Sequence, residues 1–454
     1  MKTKNIYYLL IPMLMLIWGC KKDFLDKKPL KSLLVPTTLA DVRALLDNAF
    51  VFNLTPGLTY IADGDLQVTN AGWNNYPNLQ EKNSYIWAAD IFGTETSYEW
   101  DNLYQQVFYA NVALESLSKL NAGAESGELR GTALFHRAYA FYNLSEMFTV
   151  PYKASSAGSA PGIPLKLRAD VNEKAGRGTL EGTYQQVLAD LSASRSLLPA
   201  TVSFKSRPSR AAVYGLLARV YLSMGNYPLA GNFADSCLQL RPELIDYNTL
   251  STTAIRPFTR ALPNGSPEVI FYSAALDYTF GDSSSPSYFT PEFYALFAAN
   301  DLRRTIFFRQ ITLGNYKFKG NYSGVLSYFS GLATDEMYLI RAECAARAGN
   351  RDAALADLNA LLLKRWKRNT YVPLTAGDAE GALRLVMAER RKELTQRGLR
   401  WADLRRLGGD PRFAVTLHRT LNGQAYTLSP ESPRYTYPIP VDELRFNNLA
   451  QNER

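Results

Sequence analysis

Residues 213–242 read VYGLLARVYLSMGNYPLAGNFADSCLQLRP, and residues 337–366 read MYLIRAECAARAGNRDAALADLNALLLKRW. At a constant offset of 124, Tyr214 matches Tyr338, Ala218 matches Ala342, Gly225-Asn226 matches Gly349-Asn350, and Ala230 matches Ala354. Each copy has a large residue, a small one four places on, a turn, and an alanine twelve residues after the first small one. The small residues let two antiparallel helices approach closely, and the large one fills the gap beside them. Pro242 sits where such a unit ends.

These positions follow the tetratricopeptide pattern, so the expected fold is mostly α, a tetratricopeptide-like helical repeat scaffold. A third unit is half visible: Leu134 to Phe141 repeats the first half of the spacing with Ala138 as the small residue. Its partner helix is delayed to about Thr179–Leu198 by a Gly, Ser and Pro-rich excursion from Pro151 to Gly178. Apolar spacing predicts a first helix near Thr38, carrying Leu39, Val42, Leu45 and Leu46, and helical regions over about 98–148, 179–242, 335–366 and 379–407. The helical period fails over about 49–97 and 243–335, where Gly, Asn, Pro and aromatics take over. Within the second stretch, Glu268–Ala274 reads as a strand and Thr290–Ala299 as a brief helix. Beyond 407 the chain reads as irregular to Arg454. Long irregular segments attached to a rigid scaffold are where binding residues concentrate, which makes this loop-rich half the expected ligand side.

The chain opens with Lys2, Lys4, an apolar run from Ile6 to Trp18, then Gly19-Cys20. The run is short of the ~20 residues that span a bilayer and has the basic front end of a secretory signal. A small residue followed by cysteine is similar to a bacterial lipobox. On that reading residues 1–19 are a lipoprotein signal peptide, Cys20 is lipidated, residues 20–36 are an extended lead with Pro29 and Pro36, and residues 37–454 form a single domain. The alternative is an ordinary signal peptide whose cysteine is incidental. Without Lys2 and Lys4 the balance is 48 basic against 42 acidic side chains, a mild +6 that argues against nucleic acid as partner. Membrane contact is expected through the lipid alone. Cys237 and Cys344 lie in helical patterns and read as buried free thiols rather than a disulfide. Two histidines, His136 and His418, give no zinc spacing, which disfavours a metal-dependent or histidine-based enzyme. No cofactor is indicated, and a structural calcium is left open.

Several further motifs occur in a specific order: Cys20 with Asp23-Phe24-Leu25-Asp26 and Pro29, Trp100 to Asn111, Arg137-Ala138-Tyr139, and Ala218-Arg219-Val220-Tyr221-Leu222. Then come Glu336 to Glu343, Glu389 to Leu394 with Arg400-Trp401 and Asp403-Leu404-Arg405, and Tyr437-Pro438-Ile439-Pro440 with Glu443 and Asn447. Over essentially its whole length the chain resembles the SusD/RagB family of Bacteroidetes nutrient-uptake lipoproteins. The resemblance implies a SusD-like α-α superhelix with an irregular ligand-binding half, anchored at the outer membrane and facing the cell exterior. It also implies a partner resembling SusC, a TonB-dependent transporter, to which captured oligosaccharide, or peptide in the RagB branch, is delivered.

Sugar recognition in water needs an aromatic platform for ring C–H groups and amides or carboxylates that replace water at the hydroxyls. Asp63-Gly64-Asp65, Asn70, Trp73, Asn74, Asn75, Tyr76 and Asn78 supply both kinds of group in one irregular stretch; Trp73 reads equally as an inward loop anchor. Tyr278, Phe280, Asp282 and Tyr288 form a second cluster. Trp100 and Trp401 fall in amphipathic helices and read as core, while Trp87 is undecided. The basic run Lys364 to Arg368 reads as a solvated helix end. Glu393 with Arg397 and Asp403 with Arg406 fall at helical pair spacings and read as fold-closing ion pairs or a transporter-facing surface. Carboxylate pairs for glycoside cleavage can be drawn from Asp63, Asp65 or Asp282, but 42 acidic residues offer such pairs by chance. No Gly-x-Ser-x-Gly elbow or phosphate-binding glycine loop occurs, so binding without turnover is the expectation. A peptide-binding member, or a plain envelope scaffold holding no nutrient, are the alternatives.

Overall fold

The structure is a computed structural model that describes residues 36–263, 265–281 and 285–454. Cys20, the signal segment, nearly all of the lead and Asp282 lie outside the described residues. The fold is mostly α. A first helix, α1 (Leu39–Leu46), starts at Thr38 in a capping box with Asp41. It packs on α2 (Tyr98–Leu117) and α3 (Ala124–Phe148). The series continues with α4 (Leu180–Leu197), α5 (Arg210–Ser223), α6 (Tyr227–Leu240), α7 (Thr334–Arg347), α8 (Arg351–Leu363) and α9 (Ala379–Glu393). Each helix from α2 to α9 packs on the next in sequence, and α7 packs on α9 as well, the stacking of one helical unit on its neighbour that a repeat scaffold shows. The delayed partner of α3 is α4, as its spacing predicts.

The repeat positions show why this sequence makes helix pairs. Ala138, Ala218, Ala230, Ala342 and Ala354 are all fully buried where two helices meet. Between α5 and α6, Gly225 takes a φ of 72° that side-chain-bearing residues avoid, and the Asn226 amide bonds back to the Tyr221 carbonyl. The Asn226 side chain then accepts from the Leu229 amide to start α6. Gly349, with a φ of 84°, and Asn350 repeat the device between α7 and α8. Cys237 and Cys344 are buried free thiols, and Trp100 and Trp401 are core residues at 1% and 2% exposure.

The irregular half holds more order than its composition suggests. Residues 49–97 contain short helices Leu58–Ala62, Asn70–Asn75 and Leu79–Tyr85. Strands Leu66–Val68, Ser287–Phe289, Asn315–Phe318 and Phe308–Thr312 pair in that order in an antiparallel sheet. They are three to five residues long, too short for alternation to stand out. The expected strand appears as Val269–Phe271, and the brief helix as Pro291–Ala295 capped by Thr290. The expected helix over 379–407 is two helices, because Leu394–Gly398 turns the chain between α9 and α10 (Leu399–Arg406). The tail is not wholly irregular: Leu417–Leu421 and Gln424–Leu428 form a hairpin about Asn422-Gly423, and Val441–Asn447 is helical.

Buried ion pairs join the two halves. Arg303 binds Asp301, Glu389 and Glu393; Arg365 binds Glu393 and Glu268. The Tyr322 hydroxyl bonds Glu268 and Asp335; Arg397 binds Asp335, and Arg219 binds Glu336. Two expectations are corrected here. Arg365 is fully buried rather than solvated, because its guanidinium is needed between two buried carboxylates. Glu393 and Arg397 take separate partners because the chain turns between them, whereas Asp403 and Arg406 pair at 2.8 Å as their spacing predicts.

Candidate functional site

Residues 57–66 and 275–279 come from the two irregular segments, and the backbone ties them together. Leu54–Thr55 pairs in parallel with Ala274–Ala275, and the Leu276 amide donates to the Thr55 carbonyl at 2.8 Å. The Ala275 amide donates to the Tyr328 carbonyl at 2.8 Å, which brings in a third strip. Between them lies an open cleft enclosing about 800 Å³, walled by Tyr60, Ile61, Leu66, Leu276, Asp277, Tyr278, Thr279, Leu326, Tyr328 and Gln396. Tyr60 and Tyr328 lie near parallel with ring centroids 6.1 Å apart, and Leu326 is 65% exposed at the rim. Aromatic faces with few polar groups suit a ligand that is apolar on its faces and polar at its edges.

Beneath the cleft, the Glu99 carboxylate accepts from the Gly57 and Leu58 amides at 3.0 and 2.8 Å and lies beside the Tyr278 phenol. Burial pushes Glu99 up to about 7, against the two amides that favour its charged form. Its folded value lies above the carboxylate's ordinary 4.5, so the folded protein keeps a proton that the unfolded chain releases. The stabilisation is complete below about pH 4.5 and is lost as pH rises through 7, about 3 kcal/mol in all. Glu99→Gln is therefore expected to flatten the fall in stability between pH 5 and 8 by about that amount. Urea unfolding at a series of pH values measures it; equal slopes in the two proteins would refute it.

Of the side chains singled out in the sequence, Tyr278 alone is among these walls. Tyr76 lies just behind: its hydroxyl bonds Glu81 at 2.6 Å and Thr279 at 2.7 Å, and its ring meets the edge of Phe280. Phe280 is fully buried between Tyr76 and Tyr85 and acts in packing. Trp73 is 9% exposed, packed on Tyr85 with the Lys82 ammonium 4.9 Å from its ring, so the inward-anchor reading describes its position. Asp65 is buried and paired with Arg391 at 2.6 Å. Asp63 is also buried, and burial with the Asp65 charge beside it pushes it up to about 8. Asn70 and Asn74 bond the hairpin tip: the Asn422 backbone amide donates to Asn70 at 2.9 Å and its side chain to Asn74 at 2.8 Å. Tyr288 is half-buried in its strand under the Lys317 ammonium. Trp87 is core, donating to the Ala62 carbonyl at 2.9 Å beneath the Arg419 guanidinium.

Sequence reading missed Tyr60, Leu326, Tyr328 and Gln396. Gln396 had a signal: Gly398 soon after a helical run marks a helix end. Among the described residues, no group of three or more His, Cys, Asp or Glu side chains is placed to hold a metal ion, and no helix is long and apolar enough to cross a membrane.

Residues 23–222 match the SusD-like_3 family, described as starch-binding associating with outer membrane, and residues 334–453 match the SusD family, SusD_RagB. SusD-like protein P2 of Formosa agariphila is 25% identical over 248 residues, which take in 52% of this chain and 46% of that protein. The chain thus spans about half the length of that relative. A SusD superfamily protein of Bacteroides vulgatus superposes with a TM-score of 0.74 at 19% identity, covering 92% of this chain and 99% of that one. One from Bacteroides fragilis gives 0.72 at 22% identity, covering 91% and 99%. A SusD-like carbohydrate binding protein of Bacteroides vulgatus gives 0.68 at 18%, covering 91% and 97%. At these identities the likeness is one of fold.

Proposed function

The chain belongs to the SusD family, and from that premise we propose that it is a surface-exposed lipoprotein that captures oligosaccharide for a SusC-like TonB-dependent transporter. Family membership implies a glycan-binding protein of the Bacteroidetes outer membrane. On this reading residues 1–19 are removed, Cys20 carries the lipid, residues 20–36 form the tether, and residues 37–454 act as one body that holds the ligand without cleaving it. The observation that supports a ligand site most directly is the meeting of both irregular segments in one cleft walled by Tyr60, Tyr278 and Tyr328. A pyranose ring laid on these faces buries its C–H groups, while its hydroxyls stay free to bond Thr279 and Gln396.

Tyr278→Ala and Tyr328→Ala are each expected to weaken binding of an oligosaccharide by ~10-fold or more, since one stacked ring is worth about 0.5–1.5 kcal/mol on top of the apolar area it buries. Isothermal titration against a broad glycan panel measures this. Unchanged affinity in both variants would place the ligand elsewhere. Retention of peptides and of no glycan from a mixed digest would replace the oligosaccharide reading with the peptide one. Co-purification with a TonB-dependent transporter tests the partner.

A further inference from the structure

Gln396 stands out among the cleft walls. It is 4% exposed, yet neither its amide nitrogen nor its amide oxygen has a hydrogen-bond partner. Its backbone holds a φ of 53°, a region that residues with side chains seldom occupy. Buried amide atoms are nearly always bonded, and a strained backbone persists only where its surroundings enforce it. Both costs fall on one residue, and that residue lines the cleft. The turn that carries it is braced on each side: the Leu394 amide bonds the Arg390 carbonyl at 3.1 Å, and Arg397 is held by Asp335 at 2.8 Å. A leucine there would fill the same space without stranding polar atoms, so packing does not explain the amide.

The charge of the walls adds a second constraint. Among the described residues lining the cleft the one charged side chain is the exposed Asp277, and no lysine or arginine is present. A ligand bearing carboxylate or sulfate would find no cation to pair with and a carboxylate to repel it. Adjacent hydroxyls of a neutral sugar each offer a donor and an acceptor, and a side-chain amide presents the matching set on one rigid plane.

Resting on the oligosaccharide reading above, we propose that Gln396 is the specificity-determining residue of the cleft, pairing with neighbouring hydroxyls of an uncharged sugar ring, and that the protein selects neutral over anionic glycans.

The test titrates the intact chain with neutral glucans, mannans, xylans and galactans and with polygalacturonate and a sulfated galactan. Binding is expected among the neutral members only, and Gln396→Leu is expected to weaken it by ~10-fold, the weight of about 1.4 kcal/mol, with no fall in melting temperature. Gln396→Asn is the second variant: asparagine tolerates the left-handed backbone, so the fold is kept while the amide is drawn back by one methylene. It should lose affinity as well. Strongest binding of an anionic glycan would overturn the proposal. So would wild-type affinity for a neutral glycan in both Gln396 variants when Tyr278→Ala weakens it by ~10-fold or more, an outcome that leaves the cleft reading standing. Binding of no glycan by the wild type would overturn the cleft reading and this inference together.

Discussion

Arg365→Leu is expected to destabilise the protein by about 3–5 kcal/mol, a large share of the about 5–15 kcal/mol that ordinarily holds a domain folded. Arg365 is fully buried, and its Nε donates to Glu393 at 2.7 Å while one Nη reaches both oxygens of Glu268 at 2.9 and 3.0 Å. Its other Nη donates to the Ile245 carbonyl at 2.8 Å, and the guanidinium lies 4.1 Å from the centre of the Tyr247 ring. Removing it leaves buried Glu268 with no cation among the described residues and Glu393 with Arg303 alone. Burial already pushes Glu268 up to about 7 with Arg365 in place, and losing that cation raises it further. Arg365→Lys, which keeps the charge but not the three-way fork, should fall between wild type and leucine. Urea unfolding followed by circular dichroism measures both. A loss below about 1 kcal/mol for the leucine variant would mean that the network relaxes around the gap.

Gly57→Ala is expected to abolish ligand binding, by about 100-fold or more, and to cost about 1–3 kcal/mol of stability. A methyl group there would lie 2.2 Å from the Leu276 carbonyl oxygen and 2.7 Å from Cδ2 of Tyr278. The Leu276 oxygen is backbone, in a strip pinned to Thr55 by its own amide, so it cannot swing aside as a side-chain end would. The wall must move as a unit, carrying Tyr278 off its seat and pulling the Gly57 amide from Glu99. Titration with the oligosaccharide that the wild type binds, together with a melting curve, separates the two effects. Full affinity would show that Tyr278 does not set the shape of the site.

The repeat was legible because a helix pair writes its geometry at short range: Ala218 to Ala230, and the Gly-Asn turn between them, lie within thirteen residues. The ion network was not, because its partners are remote. Arg365 and Glu268 are 97 residues apart, Arg397 and Asp335 are 62, and neither distance leaves a periodic trace. Local spacing found Asp403 with Arg406 and failed for Glu393 with Arg397, where the chain turns. At the cleft, composition located the two segments and Tyr278, but not which side of each loop faces inward. Phe280 and Asp65 have the right chemistry and are buried; Gln396 sits in a turn that helical spacing ran straight through. The tail hairpin was read as irregular although its signal is there: Asn422-Gly423 between Leu417-His418-Arg419-Thr420-Leu421 and Gln424 to Leu428 is the dipeptide that two-residue turns favour.

That hairpin tip closes on Asn70 and Asn74, about 350 residues earlier in the chain, and Arg419 beside it donates to the carbonyls of Tyr85 and Ile61. The early loops thus receive their last fastening from a segment synthesised near the end. A chain cut short before residue 396 would keep Tyr60, Tyr278 and Tyr328, yet would have neither the clasp nor the amide. On the proposed reading, ligand binding in this cleft would therefore belong to the finished molecule and not to its fragments.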